Sequence, residues 1–312
     1  MAHPRALLPQ NLSGSAFSVA EGRAAGLSVD QLRRASLRSP TRGVRTDAPP
    51  PDAGDLLGRC RELLPVLPPD AVFCHVTALE LLDVDLPWGM DSDGPLHVQV
   101  GQAASRPRRR GVRAHSRCTT DVRSWTLRGG VRVLVPELVW VQLGAELDVP
   151  ELVVLGDALL RRRNALSHLD RLKATVAGLP AGTRGARRLR AAVGHLRART
   201  DSPMESRLRW LLVDAGLPCP AVNALVRAPD GSVVAMPDLS YELERVAVEY
   251  DGDVHRTSKT VWRRDVARRQ SLEALGWRVV SCTADDVLHH PERAIAWVRS
   301  ALTRTLTTSR LQ

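Results

Sequence analysis

The sequence predicts a multidomain chain of α/β and α+β class whose last part is a mixed sheet flanked by helices. Three observations predict it. Proline-rich and glycine-rich breaks at Asp47–Asp52 and Gly178–Gly185 divide the 312 residues into segments. Between the breaks, short alternating strand patterns interleave with helical periodicity. Beyond Asp201 the order reads helix, three strands, helix, strand, helix, which folds as a sheet between helices. The expected parts are a helix-turn-helix over 15–46, an α+β domain over 53–180, a basic linker helix over 184–200 and an α/β module over 201–305.

Composition narrows the partners. Hydrophobic residues make up 44% and charged residues 25%, a globular balance, although aromatics reach only 4%. Lys+Arg number 44 against 34 Asp+Glu, a net charge of +10, and Lys173 and Lys259 are the only lysines. Arginine forks bond phosphate bidentately, so a basic, arginine-rich chain points to nucleic acid. The five cysteines are scattered, without Cys-x-x-Cys spacing, and predict neither a disulfide framework nor a zinc site. The first residues lack a long apolar run, and Val131–Leu160 is interrupted by Pro136, Glu137, Glu146, Asp148 and Pro150. The expected location is the cytoplasm.

Taken in order, residues 1–14 carry no periodic pattern. Two short helices follow over Ser18–Ala35, the second opened by a Ser28/Gln31 capping box. Arg33 and Arg34 end that helix, and Thr41-Arg42-Gly43-Val44-Arg45 can form a small wing. This resembles a compact winged helix-turn-helix, with Arg33, Arg34 and Arg42 as phosphate contacts. Residues 55–66 and 76–83 read as helices, and Leu96–Val100 alternates as a strand. His75 beside Cys74 reads as a satisfied core histidine rather than a ligand. Arg106–Arg113 is a basic loop entering another strand. Helices are expected over 136–147 and 150–163, then from a Ser167 cap to Ala177, then over 186–199, where an arginine-rich helix bridges two domains.

Ser202-Pro203-Met204-Glu205 reads as a capping box with proline in the first turn, and Glu205 shares a helix face with Leu208 and Leu212. Gly216 ends that helix. After the turn Pro229-Asp230-Gly231, the stretch Met236–His255 reads as a hairpin with strands at Pro237–Tyr241 and Arg245–Asp251. Alternation puts Val246, Val248 and Tyr250 on one face and Ala247, Glu249 and Asp251 on the other. Like charges clustered at a buried strand cost several kcal/mol unless a cation compensates. Asp238, Glu249 and Asp251 are thus candidate ligands for a hard ion such as Mg2+. Lys259–Leu275 then reads as a helix, Trp277–Cys282 as a strand and Pro291–Leu306 as a last helix.

Glu205 on a first helix, Pro237-Asp238 on a strand and Glu249-x-Asp251-Gly252 on the next resemble the PD-(D/E)XK nuclease superfamily. Val248-Glu249-Tyr250-Asp251-Gly252 with His255, followed by Leu275-Gly276-Trp277-Arg278-Val279, looks like the very-short-patch-repair-endonuclease branch. The resemblance implies a restriction-endonuclease-like fold and Mg2+- or Mn2+-dependent phosphodiester cleavage. Asp238 and Glu249 would hold the metal, with Asp251 as a further ligand. Asp251 stands where the superfamily has its lysine. His255 is the natural substitute, as in the repair branch, and Lys259 and Arg264 are the fallbacks. Glu205 would hold a water or orient His255. Arg263, Arg264, Arg268 and Arg269 on the next helix could neutralise phosphate.

Cys74-His75-Val76-Thr77-Ala78, the Val98 strand, Gly111-Val112-Arg113-Ala114-His115 and Gly130-Val131-Arg132-Val133 look like the AbiEi antitoxin-type arrangement. That resemblance implies a transcriptional autoregulator of a type IV toxin-antitoxin system. The two resemblances leave two functions open: a DNA-binding endonuclease, or a non-catalytic DNA-binding regulator with a degenerate nuclease fold. RNA remains open as a substrate, and a toxin partner and a homodimer remain open as assemblies.

Overall fold

Two serines organise the start of the chain. Ser18 and Ser28 each accept the backbone N–H three residues on, and Glu21 and Gln31 reach back to the serine N–H. Both are capping boxes, the second as the spacing predicts. The computed structural model describes residues 8–90, 93–102, 106–116, 123–252 and 259–308, the side chains of 259–265 and 304–308 lying outside that description. The chain divides into two compact units, Met1–Gln142 and Leu143–Gln312.

In the first unit β1 (Phe17–Ser18), α1 (Val19–Ala24), α2 (Val29–Leu32) and β2 (Val44–Arg45) form a small body. β1 and β2 pair antiparallel, and Leu12, Phe17 and Leu32 make its core. Arg33 caps the C-terminus of α2, a helix of only four residues. There follow α3 (Leu56–Leu63), β3 (Val72–Phe73), α4 (His75–Leu81), β4 (Leu96–Val100), β5 (Val112–Ser116), β6 (Ser124–Thr126), β7 (Arg132–Leu134) and α5 (Pro136–Leu143). The five strands form one mixed sheet in the order β5-β4-β3-β7-β6, parallel at β4–β5 and β3–β7. Cys60 and Leu63 of α3 pack on Phe73, Leu96 and Val98.

The second unit begins with three helices, α6 (Val149–Leu159), α7 (Leu169–Ala177) and α8 (Ala186–Val193). Ser167 does not cap α7, as the sequence had suggested. Its N–H donates to Leu159 O at the end of α6, and His168 takes the cap position without a side-chain bond. α8 stops at Val193 because Gly194 follows, short of the predicted Arg199. Arg187, Arg188 and Arg190 are exposed, and the opposite side, through Leu189, is buried. Leu196 lies so close to Gly156 on α6 that a Cβ there would sit 2.4 Å from its Cδ2.

The remaining elements are α9 (Pro203–Asp214), β8 (Ala221–Val222), β9 (Val226–Arg227), β10 (Val233–Ala235), β11 (Leu239–Tyr241), β12 (Val246–Asp251), α10 (Lys259–Ala274), β13 (Arg278–Thr283), α11 (Ala284–Leu288) and α12 (Pro291–Thr308). A mixed sheet in the order β13-β12-β11-β8 forms the centre, with β12–β13 parallel and β11 antiparallel to both neighbours. β9 and β10 form a separate ribbon around the predicted turn. On one face Val246 and Val248 pack with Leu208 and Leu212 of α9 and Val298 of α12. On the other, Ala247 meets Leu272 of α10. The alternation read from the sequence therefore holds through β12.

A buried ion pair ties α6 to α9. Arg209 Nη2 donates to Asp157 Oδ2 at 2.7 Å, with the two side chains only 1% and 0% exposed. Asp157 Oδ1 accepts the Arg197 N–H at 2.6 Å. Burial raises the Asp157 carboxyl above its ordinary range even though Arg209 pulls it down.

Candidate functional site

Ser202 caps α9 by accepting the Glu205 N–H, and Pro203 stands in the first turn, where its missing donor costs nothing. The box does not close as its spacing implies. Glu205 Oε2 accepts from Asp201 N at 3.0 Å instead of Ser202 N, and from Asn223 Nδ2 at 3.0 Å. Glu205 is buried, on the face of Leu208 and Leu212.

Asn223 was not singled out in the sequence. It follows β8 at φ +46°, a left-handed conformation asparagine tolerates better than most residues. Its N–H donates to Asp238 O at 2.9 Å, and its amide also donates to Arg199 O. One residue, through its side chain on one side and its backbone on the other, thereby links α9 to the start of β11. An asparagine after a two-residue apolar strand is the only cue the sequence offers.

Asp238 precedes Leu239, which pairs with Val248, so the register carries Asp238 opposite Glu249. Asp238 Oδ2 accepts the Tyr250 N–H at 2.8 Å. Burial pushes its carboxyl up to about 7, and the charges of Glu205 and Glu249 push the same way. The Tyr250 N–H and Arg268 act against them. Glu249 is half-buried on the α10 side and accepts from Arg268 Nη2 at 3.2 Å. Arg268 and Leu272 stand one helical turn apart, so the contact that seats Leu272 on Ala247 also brings Arg268 to Glu249.

Asp238 thus stands opposite Glu249 and feels the charges of Glu205, Glu249 and Arg268. Asp251 ends β12 opposite Thr283 and is exposed. Arg269 is exposed and donates to Ser281 Oγ on β13. His255 lies outside the described residues, as do the side chains of Lys259, Arg263 and Arg264. The donors that close within 4.8 Å of one another as a trio, among the described residues, are Cys74, His75 and His115 of the first unit, not the hairpin carboxylates. Chemically, carboxylate oxygens beside a buried carboxyl, raised first by burial and then by Glu205 and Glu249, are the donor type a hard divalent cation takes.

In the first unit Arg33, Arg34 and Arg42 are all exposed. Arg42 lines an open cavity of about 1140 Å³ with Arg108, Arg109 and Arg110 of the predicted basic loop. Arg109 Nη1 donates to Arg42 O at 2.6 Å, holding the two loops together. The described cysteines Cys60, Cys74, Cys219 and Cys282 form no disulfide with one another. No helix among the described residues is long and apolar enough to cross a membrane.

Comparison with known proteins adds to this. The chain is 27% identical over 252 residues to two Mycobacterium tuberculosis proteins, uncharacterized protein MT2308 (strain CDC 1551 / Oshkosh) and uncharacterized protein Rv2248 (strain ATCC 25618 / H37Rv), covering 80% of this chain and 88% of each. Among solved structures it is similar to the RV2827C protein of Mycobacterium tuberculosis at 18% identity, over 69% of this chain and 84% of that one, with a TM-score of 0.37. Residues 232–302, from just before β10 into α12, match the REase_MTES_1575 family, a restriction endonuclease-like family, and this match supports a nuclease-like domain.

Proposed function

We propose that the second unit hydrolyses phosphodiester bonds of DNA with Mg2+ or Mn2+ held by Asp238 and Glu249. The observation that carries this reading is the strand register that sets Asp238 opposite Glu249, inside the stretch that matches a restriction endonuclease-like family. A divalent cation relieves that clustering, and the donors are the hard oxygens such an ion takes. Bound there, the ion supplies Lewis-acid polarisation of phosphate and activation of water. Glu205, held by Asp201 N and Asn223, fixes the cluster from α9. Asp251, exposed at the strand end, is the additional carboxylate toward solvent. Arg268 and Arg269, with Arg263 and Arg264 earlier on the same helix, neutralise phosphate. His255 moves a proton to the leaving oxygen. Arg33, Arg34 and Arg42 contact DNA backbone from the winged-helix-like segment.

A second reading rests on the Arg268–Glu249 contact, which gives one oxygen of a ligand carboxylate a cationic partner without any ion. In that reading the chain is a non-catalytic, antitoxin-type regulator that binds DNA, and a toxin partner or a homodimer belongs with it. Supercoiled plasmid separates the two. Metal-dependent nicking that stops with EDTA and is lost in Asp238→Ala and in Glu249→Ala supports the nuclease. DNA binding without nicking in any metal supports the regulator.

A further inference from the structure

Strands β4 and β5 run parallel at the edge of the first unit's sheet, with His97 opposite Arg113 and Gln99 opposite His115. Two-residue alternation puts His97 and Gln99 on one face, and Arg113 and His115 likewise share a face. The N-terminus of α4 is tied to the same place, since Cys74 N donates to His97 O at 3.0 Å and His97 N to Thr77 Oγ1 at 2.9 Å. Cys74 is the cap residue of α4, and His75, its first residue, has φ +51°. A histidine in that region is uncommon, and such positions concentrate where a side chain must be aimed.

The result is a cluster of one thiol and three imidazoles. The His75 and His115 rings stack at 3.7 Å, and His97 lies 5.4 Å and 5.0 Å from them, centroid to centroid. His75 Nδ1 is 3.2 Å from Cys74 Sγ, and His115 Nε2 is 3.2 Å from His97 Nδ1. Cys74 Sγ and one nitrogen each of His75 and His115 all fall within 4.8 Å of one another. Two ligands of one tetrahedral zinc stand about 3.3–3.6 Å apart, given its bond lengths of about 2.0–2.3 Å. Closing on an ion therefore requires the stacked His75 and His115 rings to turn, so that each aims a nitrogen at the metal in its own ring plane.

Its surroundings are built as well. Gln142 Oε1 accepts the His75 N–H at 3.3 Å, and Gln142 Nε2 donates to Gln99 Oε1 at 2.5 Å, which fixes the first turn of α4 from behind. Cys74, His75 and His97 are buried while His115 is half-buried. Burial holds His75 at about 2 and His115 at about 4, and lowers His97, with Arg113 adding to each.

We propose that the first unit binds one Zn2+ through Cys74 Sγ and a ring nitrogen each of His75 and His115, with His97 orienting His115. Sulfur with imidazole is the donor set that selects such an ion over Mg2+. Binding releases the Cys74 thiol proton and pins the α4 N-terminus to the edge strand β5. Two residues adjacent in sequence and two distant histidines join only through this pairing of strands and helix.

Cobalt(II) tests it on the full-length protein, because a thiolate-to-cobalt charge-transfer band reports a sulfur ligand and is silent to carboxylate sites. The expected result is one equivalent of Co2+ with that band, displaced by Zn2+. The band is lost in Cys74→Ser and its midpoint weakened at least tenfold in His115→Gln. It is unchanged in Cys219→Ser and Asp238→Asn. Zinc should also raise the melting temperature of the chelator-treated wild type. His115→Gln, on a half-buried strand position, serves if Cys74→Ser fails to fold. No band in the wild type, or one that persists undiminished in a folded variant of either ligand, overturns the proposal.

Discussion

Asp238→Asn is expected to stop plasmid nicking and, at the same time, to make the metal-free protein more stable above pH 7. The two effects share one cause. Asp238 has its native-state value near 7 against an ordinary 3.8, because burial and the carboxylates of Glu205 and Glu249 oppose its ionisation. Between those values the native state keeps a proton the unfolded chain has released. The group's contribution to stability is therefore greatest below about pH 4, falls as pH rises, and is fully lost above about pH 7. At about 1.4 kcal/mol per pH unit the loss is on the order of 4 kcal/mol. Asparagine keeps an oxygen for the Tyr250 N–H and carries no charge, so the melts of the variant should lack this one contribution, and its stability relative to wild type should grow across the window. Relative to the variant, wild type should lose stability from pH 4 to 8 and recover it at pH 8 when Mg2+ is added, because the ion binds the ionised form. Equal pH profiles for the two proteins would remove the electrostatic basis of the site.

Arg209→Met should cost the second unit about 3–5 kcal/mol, the usual result of leaving one partner of a buried pair uncompensated. Both side chains are essentially excluded from solvent, and Asp157 also holds the Arg197 N–H. The net rise in the Asp157 carboxyl says that burial outweighs the attraction of Arg209. The pair is therefore a device for joining α6 to α9 in one geometry more than a source of net stability. Replacing both partners, as Asp157→Leu with Arg209→Met, should recover much of the loss. Urea unfolding followed by circular dichroism measures each step, and a double variant no better than the single one would refute that interpretation.

Much of the second unit could be read from its residues. The alternation of β12, the capped start of α9, the turn at Asp230 and the inward face of Glu205 all follow from local periods and turn chemistry. What could not be read depends on contacts distant in sequence. Glu205 was expected to return to Ser202 N, but the capping distance alone does not say that Asn223 and Asp201 N offer better partners. Asp251 alternates onto the same strand face as Glu249, yet β12 ends there and leaves it in solvent. The helix over 186–199 was read as a bridge between domains, because its arginine stripe was legible and its packing beside Gly156 was not. His75 read as an ordinary core histidine because its nearest ring partners are 22 and 40 residues away, on β4 and β5.

Binding of Mn2+ to the full chain at pH 8, followed by electron paramagnetic resonance, tests the central claim most directly. The prediction is a bound ion in wild type and in Cys74→Ser, with affinity rising as pH passes through about 7, and its loss in Asp238→Asn and Glu249→Gln. A wild-type protein that holds no Mn2+, or carboxylate variants that hold it undiminished, would contradict the account.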